Sequence, residues 1–251
     1  MELKDFFAVN RRVALAFSGG ADSSYLLYEA VKNNADVTAY YVRSQFQPQF
    51  EFEDAKRLCA ELGARLSVID ADILSCAAVA ANPPDRCYHC KKQIMGLILA
   101  QAARDGYDIL IDGTNASDSG GDRPGMRVLS EKGILSPLRL CGITKPLVRE
   151  NSKAAGLFTW DKPAYACLAT RVRTRECITA EKLQSIEKSE DFLFSLGFTD
   201  FRVRCSNGSA LLQFTKPQLD TAREKLPLIE RELRKYFDGV RLDDVPREAS
   251  V

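Results

Sequence analysis

Apolar residues follow two alternating rhythms over the first two thirds of the chain. Predominantly apolar runs at residues 13–17, 37–43, 66–69 and 109–111 have the length and composition of strands in a buried sheet. Between them, apolar positions recur every three or four residues over 2–12, 23–34, 52–62 and 93–104, which predicts helices with one buried face. Strands alternating with helices in this way predict a parallel sheet with right-handed crossovers. After Trp160 the rhythm changes. A helix over 178–197 is followed by strands at 201–205 and 210–214, a helix over 217–237 and a last strand near Val240. Asn207-Gly208 between the two apolar strands is the signature of a tight hairpin. The pattern thus divides into an α/β domain of residues 1–160 and a smaller C-terminal α+β domain of residues 161–251. Two stretches lack either rhythm. Pro83-Pro84 halts any preceding helix, leaving Cys87-Tyr88-His89-Cys90 as a loop or first helical turn, and residues 122–127 read as a charged loop or lid.

The first predicted strand runs directly into Ser18-Gly19-Gly20-Ala21-Asp22-Ser23-Ser24, and a helix follows. Two glycines let the backbone approach a bulky anion without a Cβ in the way. The helix then offers unbonded N–H groups and the positive end of its dipole. Ser18, Ser23 and Ser24 add hydroxyl donors. No lysine stands where a Walker-type loop has one to grip a transferring γ-phosphate, so the loop suits a pyrophosphate that leaves intact. The strand at 109–111 ends in Asp112-Gly113-Thr114, a second polar loop, and the second strand ends at Ser44. In an open α/β sheet these carboxyl ends form the ligand-binding edge, so Ser44, Gly113 and Thr114 join the candidates. Arg86 and Lys91, on either side of the two cysteines, are candidate phosphate or carboxylate partners.

Composition narrows the classes. Thirty-five basic and thirty-four acidic residues give a net charge of +1, which supplies no general field for a polyanion and counts against RNA or DNA as partner. No apolar run nears the roughly eighteen residues of a membrane span, and the N-terminus lacks a signal layout, so a soluble, cytoplasmic protein without a membrane partner is expected. In that compartment eight cysteines are not read as a disulfide framework. Cys87 and Cys90 supply two of the four ligands that a structural zinc needs, so zinc is not expected there; packing, lining of a nucleotide site, or a redox pair account for them instead.

The SGGADS loop resembles that of the ATP pyrophosphatases, and the fold it implies is a Rossmann-like PP-loop domain. More of the chain matches a narrower group. SGGADS, NPPDRCYHCK, DGTNASD, DRPGMR, ILSPL, KPAYACLATR and FRVR stand in the order and spacing of the ATP-dependent sulfur transferases of lactate racemase maturation, which help build the nickel-pincer nucleotide. The resemblance covers about residues 10 to 245. It implies that ATP adenylates a carboxylate of pyridinium-3,5-biscarboxylic acid mononucleotide with release of pyrophosphate. Sulfur then converts that carboxylate to a thiocarboxylate. The implied loop ligands are Ser18, Gly19, Gly20, Asp22, Ser23 and Ser24, with Asp22 holding Mg2+. A sulfide source and a homo-oligomer, a hexamer in some members, are implied as well.

Within KPAYACLATR, Cys167 matches the family's sulfur-donating cysteine, which in single-cysteine members gives up its own sulfur. Cys177 and Cys205 are additional, and three thiolates resemble the set that holds a 4Fe-4S cluster with one iron open. That places the chain with the cluster-dependent branch and makes Cys167, Cys177 and Cys205 the expected ligands. The other reading of Cys177 and Cys205 is small buried hydrophobes. Arg171, Arg202 and Arg204 suit the substrate's phosphate and carboxylates, since a guanidinium grips both bidentately, and Glu187 or Glu190 is expected to face the same site. Gln213 departs from the family, which has a glutamate there. The rival functions are a tRNA-thiolating or amidating enzyme with the same loop, and a nucleotide-sensing adaptor without chemistry.

Overall fold

The computed structural model describes residues 1–118 and 124–248, and the chain divides into two compact units. The first consists of Met1–Ser44, Gln49–Ala71 and Asp85–Lys162. Its elements are α1 (Leu3–Val9), β1 (Arg12–Ala16), α2 (Ala21–Lys32), β2 (Asp36–Arg43), α3 (Gln49–Leu62), β3 (Arg65–Asp70), α4 (Arg86–Arg104), β4 (Leu110–Asp112), α5 (Pro124–Glu131) and α6 (Lys145–Ala154). The four strands are all parallel, in the order β3-β2-β1-β4, with Leu15 level with Ala39 on one side and Ile111 on the other.

Alternate residues of the strands enter different cores, which is why the strands read as continuous apolar runs. Val13, Leu15, Val37, Ala39, Tyr41 and Ile111 pack with α1, α2 and α3 through Phe6, Leu26, Leu27 and Leu58. Ala14, Tyr40, Val42 and Leu110 pack with α4 and α5 through Met95, Ile98, Val128 and Leu129. Each fully buried large apolar side chain contributes about 1.5–3 kcal/mol, so neither face of the sheet can be left uncovered.

Two expectations change. Helix α4 begins at Arg86, seven residues before the expected 93, so of the two alternatives for Cys87-Tyr88-His89-Cys90 the helical one holds. These residues carry no apolar stripe, and the helix start is therefore invisible to periodicity. The charged stretch expected as a loop is instead helical from Pro124, because Val128 and Leu129 are buried against α4 and proline is well suited to a first helical position. Asp122 and Arg123 lie outside the described residues. No described helix is long and apolar enough to cross a membrane.

The second unit consists of Gln45–Pro48, Asp72–Pro84 and Pro163–Val251. It contains α7 (Ala180–Ser195), β5 (Phe201–Ser206), β6 (Ser209–Phe214), α8 (Leu219–Leu233) and β7 (Gly239–Leu242). Strands β5 and β6 form the expected antiparallel hairpin, and β7 adds parallel to β6. Asn207 and Gly208 both have positive φ, 48° and 76°, which is the backbone of the primed turn that their sequence signals. Asn82 is almost fully buried. Its Nδ2 donates to the carbonyls of Arg173 and Glu176 at 2.9 and 3.1 Å, which ties residues 72–84 to this unit.

Candidate functional site

At the carboxyl end of β1 the chain turns through Ser18–Gly20 and enters α2. Gly20 caps this helix without any side-chain bond, so its first N–H groups face outward. Ser23 Oγ lies 3.1 Å from Ser18 Oγ and donates to the Gly20 carbonyl, fixing the curl of the loop. Gly19 has φ +72°, and a Cβ there would come within 3.2 Å of the Glu51 carbonyl. At Gly20 a Cβ would meet only Ser18 Oγ, so within the protein itself Gly19 is the more constrained of the two. Lys162 braces the loop from outside: its Nζ donates to Asp54 at 2.7 Å and to the Gly19 carbonyl at 3.5 Å.

The loop after β4 completes the wall. A Cβ on Gly113 would stand 2.8 Å from the Ser23 nitrogen, so only glycine lets these two backbones touch. Asp112 is buried and accepts from Thr114 Oγ1 and Ser136 Oγ, each at 2.6 Å, with Lys91 Nζ 3.7 Å away. The Asp22 carboxylate receives Lys145 Nζ at 2.7 Å and Asn115 Nδ2 at 3.2 Å. Together these groups line a cavity of about 260 Å³ whose walls include Ser18, Gly20, Asp22, Ser23, Lys91, Gly113 and Thr114. Ser24 is wholly buried, and its hydroxyl has no hydrogen-bond partner among the described residues. Ser44 and Arg86 are not among the described residues that line the cavity. Asn115 lies in the DGTNASD loop that the sequence singled out, whereas Lys145 and Lys162 were missed, because each reaches the phosphate-type loop from a distant part of the chain.

The oxygen donors around this cavity suit Mg2+, which typically takes one or two carboxylates and completes its shell with phosphate oxygens and water. Asp22 can serve in this way once Lys145 shifts to a phosphate.

In the second unit, Cys167 precedes a 3-10 turn, Leu168–Arg171, and is half-buried. The backbone around it is clamped. Arg202 donates to the Ala164 carbonyl at 2.8 Å, Arg171 to that of Ala166 at 2.7 Å, and the Thr170 hydroxyl to that of Cys167 at 2.8 Å. Arg171 is 1 % exposed and forms a two-pronged pair with Glu190, at 2.9 and 3.2 Å. The Tyr165 hydroxyl bonds to the same carboxylate, and the Val203 N–H donates to it at 3.0 Å. Burial works against the charge of Arg171, but Glu190 more than offsets this and holds its pKa above the ordinary value. In this structure the donors of Arg171 are taken up by Glu190 on α7 and by the Ala166 carbonyl next to Cys167, where the sequence suggested contact with substrate. Glu190 is its counter-ion.

Replacing Arg171 by methionine strands the Glu190 charge in the interior, and removing one partner of a buried pair costs about 3–5 kcal/mol. Chemical denaturation is expected to read a loss of that size; an unchanged midpoint would contradict the clamp.

Arg202 is pushed down to about 10, first by burial and then by the nearby Arg171 and Arg247, with Glu190 and Asp200 acting in the opposite direction. Arg204 donates to Gln213 at 2.9 Å and to the Thr170 carbonyl at 2.7 Å, while Gln213 Nε2 donates to Asp243 at 2.9 Å. A glutamine can accept from the arginine and donate to the carboxylate at once. A glutamate here would face Asp243 as a like charge.

The three cysteines expected to hold a cluster all fall in this unit. Cys205, on the inner face of β5, is 2 % exposed, and burial followed by the nearby Glu176 pushes its thiol pKa up. Cys177 is exposed, with its thiol 3.8 Å from the Ile178 carbonyl. Among the described residues no three Cys, His, Asp or Glu side chains gather as a metal site.

No family model matches the chain. It is 32 % identical over 236 residues to the pyridinium-3,5-bisthiocarboxylic acid mononucleotide synthase of Lactiplantibacillus plantarum, covering 93 % of this chain and 86 % of that protein. It is 34 % identical to an uncharacterized protein of Synechocystis sp. over 86 % of this chain and 81 % of the other. An uncharacterized protein of Methanocaldococcus jannaschii is 28 % identical, with 91 % and 87 % covered.

Proposed function

Because the chain belongs to the family of the pyridinium-3,5-bisthiocarboxylic acid mononucleotide synthases, we propose that it is a sulfur transferase that converts a pyridinium-3,5-biscarboxylic acid mononucleotide to its thiocarboxylate at the expense of ATP. The observation that carries this reading is the end-to-end similarity to a protein named for that product. The anion-shaped loop and the clamped Cys167 give it a chemical basis.

In this reading the first N–H groups of α2 and the hydroxyls of Ser18 and Ser23 bind the β- and γ-phosphates, and the substrate carboxylate attacks the α-phosphorus, expelling pyrophosphate. Asp22 holds the magnesium, whose chemistry is to neutralise charge on the leaving pyrophosphate. Lys145 and Lys91 follow the phosphates. Arg202 and Arg204 bind the anionic groups of the pyridinium nucleotide. The Cys167 thiolate attacks the acyl carbon and displaces AMP; loss of the Cys167 α-proton then breaks its Cβ–S bond. The sulfur leaves as thiocarboxylate and Cys167 becomes dehydroalanine.

A second reading has Cys167, Cys177 and Cys205 hold a 4Fe-4S cluster that spares Cys167, as in the cluster-dependent branch. It is favoured by the pairing of Arg173 N–H with the Cys205 carbonyl at 3.1 Å, which makes the segments that carry the three thiols neighbours. Peptide mass analysis after turnover separates the two. Dehydroalanine at Cys167 in step with product supports the first. An intact Cys167, many turnovers with added sulfide, and iron that is lost in Cys177→Ser and Cys205→Ser support the second. Product formed with Cys167 intact and no iron bound would overturn both.

A further inference from the structure

Cys87 and Cys90 are used by neither reading. Cys87 is the second residue of α4, a 19-residue helix, and is exposed; Cys90 follows one turn later and is partly buried. At three residues' separation on an α-helix two Cα atoms lie about 5 Å apart. That falls inside the span of about 4.4–6.8 Å which a disulfide bridges without backbone movement. The Asp85 side chain makes no cap bond to the backbone at the helix start; it lies 3.2 Å from His89 Nε2, and the Tyr88 N–H donates to the Asp85 carbonyl at 2.8 Å, so the helix keeps the positive end of its dipole at this turn. Arg86 Nη2 lies 3.6 Å from Cys87 Sγ. A sulfur that gains negative charge at this point therefore meets a guanidinium and the positive end of a helix. Cys59 and Cys141 differ, since burial pushes both thiols up.

We propose that Cys87 and Cys90 are a thiol–disulfide exchange site whose substrate class is low-molecular-weight disulfides, with Cys87 the attacking and Cys90 the resolving thiol. The Cys87 thiolate attacks one sulfur of the disulfide and expels the first thiolate, leaving a mixed disulfide on Cys87. The Cys90 thiolate then attacks Cys87 Sγ, expels the second thiolate and closes the Cys87–Cys90 bridge. Two electrons pass from the protein dithiol to the small disulfide, whose two thiolates take up the protons, and an added dithiol reverses the sequence. The described residues that line the cavity beside the phosphate-type loop include Lys91 but neither thiol.

The test treats the whole protein with oxidised glutathione, alkylates remaining thiols under native conditions and maps the peptides by mass. The expected result is a peptide containing both residues that is two hydrogens lighter, unalkylated, and restored by dithiothreitol. Cys90→Ser is expected to trap one glutathione on Cys87, whereas Cys87→Ser should leave Cys90 largely unmodified. A pair that stays reduced in excess oxidised glutathione, or glutathione trapped on Cys90 in Cys87→Ser as readily as on Cys87 in Cys90→Ser, would overturn the proposal. Neither outcome depends on activity toward the pyridinium nucleotide.

Discussion

Cys167→Ser is expected to abolish thiocarboxylate formation while the protein still exchanges labelled pyrophosphate into ATP when the dicarboxylate nucleotide is present. In the proposed reaction, adenylation would use the loop of the first unit, whereas displacement of AMP would use a sulfur nucleophile. A serine hydroxyl lacks the thiolate's nucleophilicity and has no sulfur to transfer. The substitution changes one atom of a half-buried side chain whose backbone is fixed by Arg171, Arg202 and Thr170, so folding should be unaffected. Loss of exchange together with product would mean that Cys167 serves the nucleotide step. Product formation at the parent rate would remove Cys167 from the chemistry.

Asp22→Ala is expected to lower kcat for ATP cleavage by about 100-fold or more, the scale seen when one group that stabilises charge in the transition state is removed. Asp22 is the point where three distant segments converge: it opens α2 and receives Lys145 and Asn115. Its removal leaves two donors without their acceptor next to the phosphates. Lys145→Met should weaken ATP binding without matching that loss in kcat, since the lysine only accompanies the phosphate charge. Steady-state kinetics with varied ATP separates these effects; equal losses in kcat from both variants would contradict the division of roles.

The alternation of strand and helix was legible because the β1, β2 and β4 runs are buried on both faces and the helices between them carry one apolar stripe. The hairpin was legible from Asn207-Gly208 alone. The start of α4 was not, because the turn from Arg86 to Lys92 is polar and held by tertiary packing further along the helix. Nor was the helix at Pro124, whose burial rests on Val128 and Leu129 meeting α4. In the candidate site, local spacing revealed the loop residues and Gly113, which sit at strand ends. Lys145 and Lys162 were hidden, because a one-dimensional pattern carries no sign that residue 145 meets residue 22. Arg171 shows the opposite failure. An arginine four residues from Cys167 reads as a ligand contact in sequence, whereas the structure buries it against Glu190. Cys205 likewise follows Arg202 and Arg204 in sequence yet faces the interior, because successive strand residues point to opposite sides.

The central claim is that the enzyme activates a carboxylate with ATP and replaces one of its oxygens by sulfur. The most direct measurement follows the nucleotide products and the substrate mass together, in a reaction of purified protein, ATP, Mg2+ and pyridinium-3,5-biscarboxylic acid mononucleotide. The account predicts AMP and pyrophosphate in equal amounts, dependent on the mononucleotide, with a product heavier by the difference between sulfur and oxygen. ADP and orthophosphate, or AMP released with no sulfur in the product, would contradict it.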